Sequence, residues 1–247
     1  MSLFYLRRVQ RWLGRHLLCR VPAAGPRFAL TFDDGPSSRN TPRLLDVLDH
    51  HGARATFFVM AGRVAPHAAL VRRMRDAGHE IGIHGHLHLP AWGLPRFWLE
   101  RDLERAIASV RDVTGTDPRY YRAPFGLLWP SQARWMRDRG LVAVLGDIYP
   151  RDHAERRARP IADHVLSRLG AGAIVILHDS SALGEADRSA TLEAVDLILA
   201  AASSRGLRAA TIGQLVASSG QPQRAGAGEP EPPRAATEPE TRPGTRP

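Results

Sequence analysis

A chain of 247 residues, 43% of them hydrophobic, is long enough to bury one sizeable core. Its single cysteine, Cys19, excludes an intramolecular disulfide and any zinc site built on two or more thiolates. The net charge of +9 is not gathered on a nucleic-acid-binding face: residues 1–20 carry five Arg and no acid, the segment from Gln221 has four Arg balanced by four Glu, and the remainder is ordinary for a soluble domain. Nucleic acid is therefore not an expected partner, and any metal must be held by His and carboxylate.

The opening, "MSLFYLRRVQRWLGRHLLCRV", sets Leu6, Val9, Leu13 and Leu17 at helical spacing with the arginines largely between them. Arg interrupts every apolar run before it reaches the roughly 7 to 15 residues of a signal-peptide core, so the segment is expected to be neither secretory nor membrane-spanning. The spacing predicts a basic amphipathic helix over 1–26. It either packs across one end of the domain or lies, through residues 1–20, on an anionic membrane face. A cytoplasmic location follows, with peripheral contact to the inner membrane face as the alternative.

Short apolar runs then alternate with helical patterns. The runs are "FALTF" (28–32), "ATFFVM" (55–60), "EIGI" (80–83), "RYY" (119–121), "LVAVLG" (141–146), "AIVIL" (173–177) and "LRAAT" (207–211). Helices are predicted over 42–51, 65–77, 97–114, 131–140, 160–169 and 189–205. Such alternation means an α/β domain over 27–218 with a parallel sheet, doubly wound or closed as a barrel. Residues 219–247 hold no large apolar side chain and are rich in proline, so a disordered tail is expected there.

Chemically capable residues follow the runs. Asp33 and Asp34 come after the first, His84 after the third, Arg122 after the fourth, Asp152 shortly after the fifth and His178 after the sixth. In parallel α/β folds these strand ends share one rim, where active sites are built. "TFDDGP" offers two carboxylates that diverge because successive side chains alternate, one for a cation and one for a substrate; alone, it suits a helix cap and turn equally. In "EIGIHGHLH", His84 and His88 are four apart, as on one side of a helical turn, and with one carboxylate they make a cation site with open positions. His86 is expected to point elsewhere. Arg122 in "RYYRAPFG" can fork onto Asp33 or form a purely structural ion pair, and Pro124 leaves the Phe125 N–H as an oxyanion donor. His178 in "AIVILHDS" can protonate a leaving group while Asp152 stabilises the imidazolium. Together these parts suit metal-assisted hydrolysis of an amide.

From about Arg27 to about Ser218, the motifs resemble, in order, the polysaccharide deacetylase family, the NodB-homology domain of carbohydrate esterase family 4. The resemblance implies Asp33 as general base and Asp34 as metal ligand in "TFDDGP", with His84 and His88 as the other ligands. It implies Arg122 as partner of the base and Phe125 as oxyanion donor in "RAPFG", and Asp152 in "YPRDH" as the group that tunes the catalytic histidine. In "VILHD" it implies His178 as general acid and Ile176 as lining of the acetyl pocket. The family fold is a distorted (β/α) barrel with about seven parallel strands. A divalent metal is implied, zinc first with cobalt, nickel and manganese as other choices, acting on an N-acetylated amino sugar or oligosaccharide. Gly85 stands where the family usually has Ser or Thr, His153 where a Trp helps form the floor under the sugar, and Ile176 where Leu is usual.

Three rivals use the same rim. One is a deformylase or deacetylase of a polyprenyl-linked amino sugar at the inner membrane face, which the basic segment 1–20 would suit. Another is an amidase of a small nitrogen heterocycle. The third, a non-catalytic sugar-binding protein, predicts the loss of a ligand or acid/base group, and none is lost. The loop "HLPAWGLPRFW" suits sugar stacking, unless Trp92 and Trp98 simply pack beneath it.

Overall fold

The computed structural model describes residues 17–22 and 24–220. Most of the helix expected over 1–26, and all but the first two residues of the tail expected over 219–247, lie outside them. Within the described part the N-terminal expectation is corrected: residues 17–22 and 24–26 are not helical, and Leu18 bridges in parallel to Val144.

Seven strands form: β1 (Arg27–Asp33), β2 (Thr56–Val59), β3 (Glu80–Ile83), β4 (Tyr120–Tyr121), β5 (Val142–Ala143), β6 (Ile174–His178) and β7 (Arg208–Ala210). Six helices connect them: α1 (Thr41–His50), α2 (Ala68–Asp76), α3 (Arg96–Thr114), α4 (Pro130–Arg137), α5 (Ala158–Leu166) and α6 (Ser189–Ser204). Each apolar run read from the sequence is a strand, although the fifth shrinks to two residues.

The strands are parallel in the order β5–β4–β3–β2–β1–β6, with β7 pairing the first three residues of β1. Beyond β5 the chain returns to β6: Ile148 bridges in parallel to Val175, and the Ile176 N–H donates to the Ile148 carbonyl at 2.9 Å. The sheet thus curls into a distorted (β/α) barrel.

β1 shows why the sequence does this. All its residues but the first are buried, as in a strand covered on both faces, so its sequence is mostly apolar rather than alternating. Its buried polar residues, Thr31 and Asp33, are two apart and share one face. On α6, Leu192, Val195, Ile198, Leu199 and Ala202 make the buried stripe of an amphipathic helix.

A seventh helix, α7 (Ile212–Ser218), was not foreseen. The local sequence "TIGQ" encodes its start: Thr211 Oγ1 accepts the Gln214 N–H at 3.1 Å, and Gln214 Oε1 accepts the Thr211 N–H at 3.0 Å. Among the described residues, no helix is long and apolar enough to cross a membrane.

Candidate active site

Asp33 ends β1 beside His178, its register partner at the end of β6. Arg122, just past β4, reaches across to it: Nη1 donates to Asp33 Oδ1 at 2.6 Å and to Thr31 Oγ1 at 2.7 Å. The guanidinium carbon lies 4.1 Å from the centre of the Phe58 ring. Burial pulls the Arg122 pKa down, and Asp33 opposes it. The fork expected from the sequence does not form: one nitrogen makes both contacts, while Nε and Nη2 are buried without a partner among the described residues.

Asp34 leaves the extended conformation of β1 at once, at φ 73° in the left-handed region, so its side chain is not set by strand alternation. Arg63 ties this turn down, its Nη1 donating to the Asp34 carbonyl and to Ser180 Oγ, each at 2.8 Å. Asp34 Oδ1 then lies 3.2 Å from His88 Nε2 and 3.6 Å from His84 Nε2. His84 Nδ1 donates to the Arg122 carbonyl at 2.8 Å, which leaves Nε2 its lone pair. Burial pulls His84 down against the attraction of Asp33 and Asp34, favouring the neutral form that a ligand needs. Burial alone would raise the Asp34 pKa, but the close approach of His88 and the charges of the nearby histidines hold it well below the usual range.

These three residues fit a divalent cation. Donors about 2.1 Å from a tetrahedral ion stand roughly 3.4 Å apart, close to the separations of Asp34 from its two histidines. Asp34 Oδ1 is also buried without a hydrogen bond of proper geometry, an orphan that an ion would satisfy.

The histidine pair is not on a helical turn, which corrects the sequence reading. Residues 84–90 are irregular, and Gly85 at φ 78° and His88 at φ 56° bend the loop back. Asp102 of α3 anchors it, accepting the N–H groups of His86 at 2.9 Å and Leu87 at 3.3 Å. A Cβ at residue 85 would stand 3.0 Å from that carboxylate, so glycine lets the loop close. Asp102 was not singled out from the sequence; its signal was an acid on the buried face of α3. His86 is half-buried and outside the ligand trio.

Asp152 is fully engaged. It accepts His178 Nδ1 at 2.8 Å, the His178 N–H at 2.9 Å and Thr191 Oγ1 at 3.0 Å. Burial works against a charged His178, but the charge and hydrogen bond of Asp152 outweigh it and raise the pKa to about 9. Ile176 lies one layer below His178 on the same strand face and is the register partner of Thr31. Phe125 adopts φ 62°, unusual for an aromatic residue, and its ring meets His88 edge-on at 5.0 Å. The exposed His153 ring stacks on Tyr149. Asp179, also unassigned from the sequence, is buried against Gly35, where any Cβ would overlap its carboxylate.

The alternative that Trp92 and Trp98 pack beneath their loop is overturned: they are 48% and 56% exposed. Phe97, Leu127 and Trp129 are exposed as well; Trp129 Nε1 donates to the Trp92 carbonyl at 2.8 Å, and the Phe97 and Trp98 rings lie 5.6 Å apart.

The sequence profile of the polysaccharide deacetylase family matches residues 20–144. A peptidoglycan-N-acetylglucosamine deacetylase of Bacillus cereus is 34% identical over 198 residues, covering 79% of this chain and 91% of the relative. A chitooligosaccharide deacetylase of Bradyrhizobium sp. is 34% identical over 194 residues, covering 75% and 89%. Among solved structures, the peptidoglycan deacetylase PdaC from Bacillus subtilis aligns with a TM-score of 0.70 at 27% identity, over 77% of this chain and 90% of that one. A peptidoglycan N-acetylglucosamine deacetylase in complex with 4-naphthalen-1-yl-N-oxidanyl-benzamide shares the fold, with a TM-score of 0.78 at 24% identity over 83% and 95%.

Proposed function

The chain belongs to the polysaccharide deacetylase family, and from that premise we propose that it removes the N-acetyl group from an amino sugar of an oligosaccharide, with a divalent cation held by Asp34, His84 and His88. It is a hydrolase acting on carbon–nitrogen bonds other than peptide bonds. The observation that carries the finer reading is the pairing of Asp33 with His178 in register, each backed by its own partner, beside the ligand trio.

When bound, the cation supplies Lewis acidity toward the acetyl carbonyl and lowers the pKa of water from about 15.7 towards about 7. Zinc is the first choice, with cobalt, nickel and manganese as others. Arg122 occupies Oδ1 of Asp33, leaving Oδ2 to take the proton of the attacking water. The Phe125 N–H faces the developing oxyanion. His178, held at Nδ1 by Asp152, gives the proton on Nε2 to the departing amide nitrogen, which leaves only when protonated. Ile176 lines the acetyl pocket, and His153 forms part of the floor under the sugar.

The test is acetate release from N-acetylglucosamine oligomers with and without chelator, for the native chain, Asp34→Ala and His178→Ala. Activity should vanish with chelator and return with metal. Asp34→Ala should not be rescued, whereas His178→Ala should keep its metal and lose a factor of about 10² to 10⁴ in rate. An Asp34→Ala chain as active as the native one would overturn the reading.

The exposed apolar side chains Trp92, Phe97, Trp98, Leu127 and Trp129 favour a second reading, in which the amino sugar is linked to a polyprenyl lipid and carries an acetyl or formyl group. Turnover of lipid-linked and soluble substrates in anionic vesicles separates the two. Equal kcat/KM values would dismiss the lipid.

A further inference from the structure

Among the described residues, every large apolar side chain left exposed lies on a segment that follows the C-terminal end of β3, β4, β5 or β6. Most belong to two segments. After β3 come Leu87, Leu89 and Trp92, then Phe97 and Trp98 on the first turn of α3. After β4 come Phe125, Leu127 and Trp129. Since β3 and β4 are neighbours in the sheet, the two segments start side by side, and they are joined: Trp129 Nε1 donates to the Trp92 carbonyl and Gln132 Nε2 to the Ala91 carbonyl, each at 2.8 Å. The first of these bonds takes up the one donor of the Trp129 indole, which leaves its exposed ring with no polar group for water. Next to the ligand trio, the exposed Phe125 ring meets His88 edge-on at 5.0 Å.

The charge of these segments has one sign. Residues 84–99 and 122–137 contain no Asp or Glu, and Arg96 and Arg134 stand exposed in them. Glu100, just past the first, accepts Arg96 Nε at 2.6 Å. Leu17, the first described residue, shares a small cleft with Ala123, Gly126 and Leu128. Residues 1–16 therefore join the domain beside the segment that bears Leu127 and Trp129, and they bring Arg7, Arg8, Arg11 and Arg15 with no acid.

We propose that the segments after β3 and β4 dock the mouth of the site on an anionic phospholipid surface, their Trp, Phe and Leu side chains entering the interface while the surrounding arginines meet the headgroup phosphates. A second copy, or residues 1–16 laid back over this face, would set arginine against arginine. Leucines offer a saccharide neither a flat ring nor a hydrogen bond, whereas a lipid interface takes aliphatic and aromatic side chains alike. The docking deepens the reading of a lipid-linked substrate and rests on it only for what is hydrolysed there. Vesicle binding needs no turnover, so the surface and the reaction fail separately.

The experiment is co-sedimentation of the full chain with phosphatidylcholine vesicles, with and without phosphatidylglycerol, for the native chain and Phe97→Ser/Leu127→Ser. The native chain should bind the anionic vesicles at least about 10-fold more tightly than the neutral ones, and less tightly as salt rises. The double variant should lose about 10-fold or more, the worth of two large apolar side chains, with an unchanged unfolding midpoint, since both residues are exposed. In Trp12→Phe the remaining tryptophans all lie within 84–99 and 122–137, and brominated phosphatidylglycerol should quench the emission of the bound chain.

A double variant that binds as the native chain does, or a bound Trp12→Phe chain without quenching, assigns the contact to residues 1–16 alone and overturns the docking face. A native chain that ignores anionic vesicles overturns it too; if sedimentation velocity then shows a native dimer that the double variant dissociates, the face belongs to a second copy.

Discussion

Asp152 grips His178 twice, one carboxylate oxygen accepting the ring Nδ1 at 2.8 Å and the other the backbone N–H at 2.9 Å. The acid is thus held in one orientation and kept charged by one residue.

Removing that charge should show in the pH dependence. His178 is raised to about 9 in the folded chain, above the ~6.5 of an unperturbed histidine. Its contribution to stability is therefore fully present below about 6.5 and is lost as pH rises through about 9. In Asp152→Asn the His178 titration should move down towards ~6.5, and the basic limb of the rate profile should move with it. NMR titration of the metal-free chain checks this, and an unmoved titration would mean that Asp152 does not hold the proton.

Arg122→Met should leave Asp33 buried without its cation, at a cost of about 3 to 5 kcal/mol. Arg122→Lys should recover only part, since an ammonium cannot span Asp33, Thr31 and the Phe58 ring together. Denaturant unfolding measures both, and a loss below about 1 kcal/mol in Arg122→Met, the range of exposed pairs, would contradict the buried pair.

Asp102 should matter to metal affinity without touching the metal. Asp102→Ala frees the N–H groups of His86 and Leu87 and loosens the loop between the two histidine ligands. Affinity in a chelator competition should fall about 10- to 100-fold, as for other residues that support ligands. Asp102→Asn, which keeps one acceptor oxygen, should lose less. An unchanged affinity would assign Asp102 to folding alone.

Burial pushes Asp179 up to about 7 from an ordinary 3.8, with a hydrogen bond from Thr41 opposing the rise. Between those values the folded chain keeps a proton that the unfolded chain releases, so stability falls as pH rises across the window and levels off above it. The stability of Asp179→Asn relative to the native chain should therefore rise between about pH 4 and pH 7 and stay constant beyond. Unfolding midpoints of the metal-free proteins across this range decide it; a constant difference would mean that Asp179 ionises normally.

The sequence by itself determined the architecture and the membership of the rim. Buried parallel strands read as nearly continuous apolar runs, as "AIVIL" does and "FALTF" does apart from Thr31, and parallel crossovers leave Asp33, His84, Arg122 and His178 at strand ends on one side. Hydrophobic period and strand polarity are local properties, readable without knowing what packs where. The start of α7 is equally local, written in the capping box of "TIGQ".

Only the tertiary structure decided which atoms meet. The left-handed turns at Asp34 and His88 re-aim their side chains in a way that neither strand alternation nor helical spacing predicts. The single-nitrogen contact of Arg122, the Asp102 anchor under Gly85 and the approach of His153 to His178 join segments far apart in the chain or bend it against its period. Such contacts depend on close approach across the folded barrel, and residue spacing carries no measure of that distance.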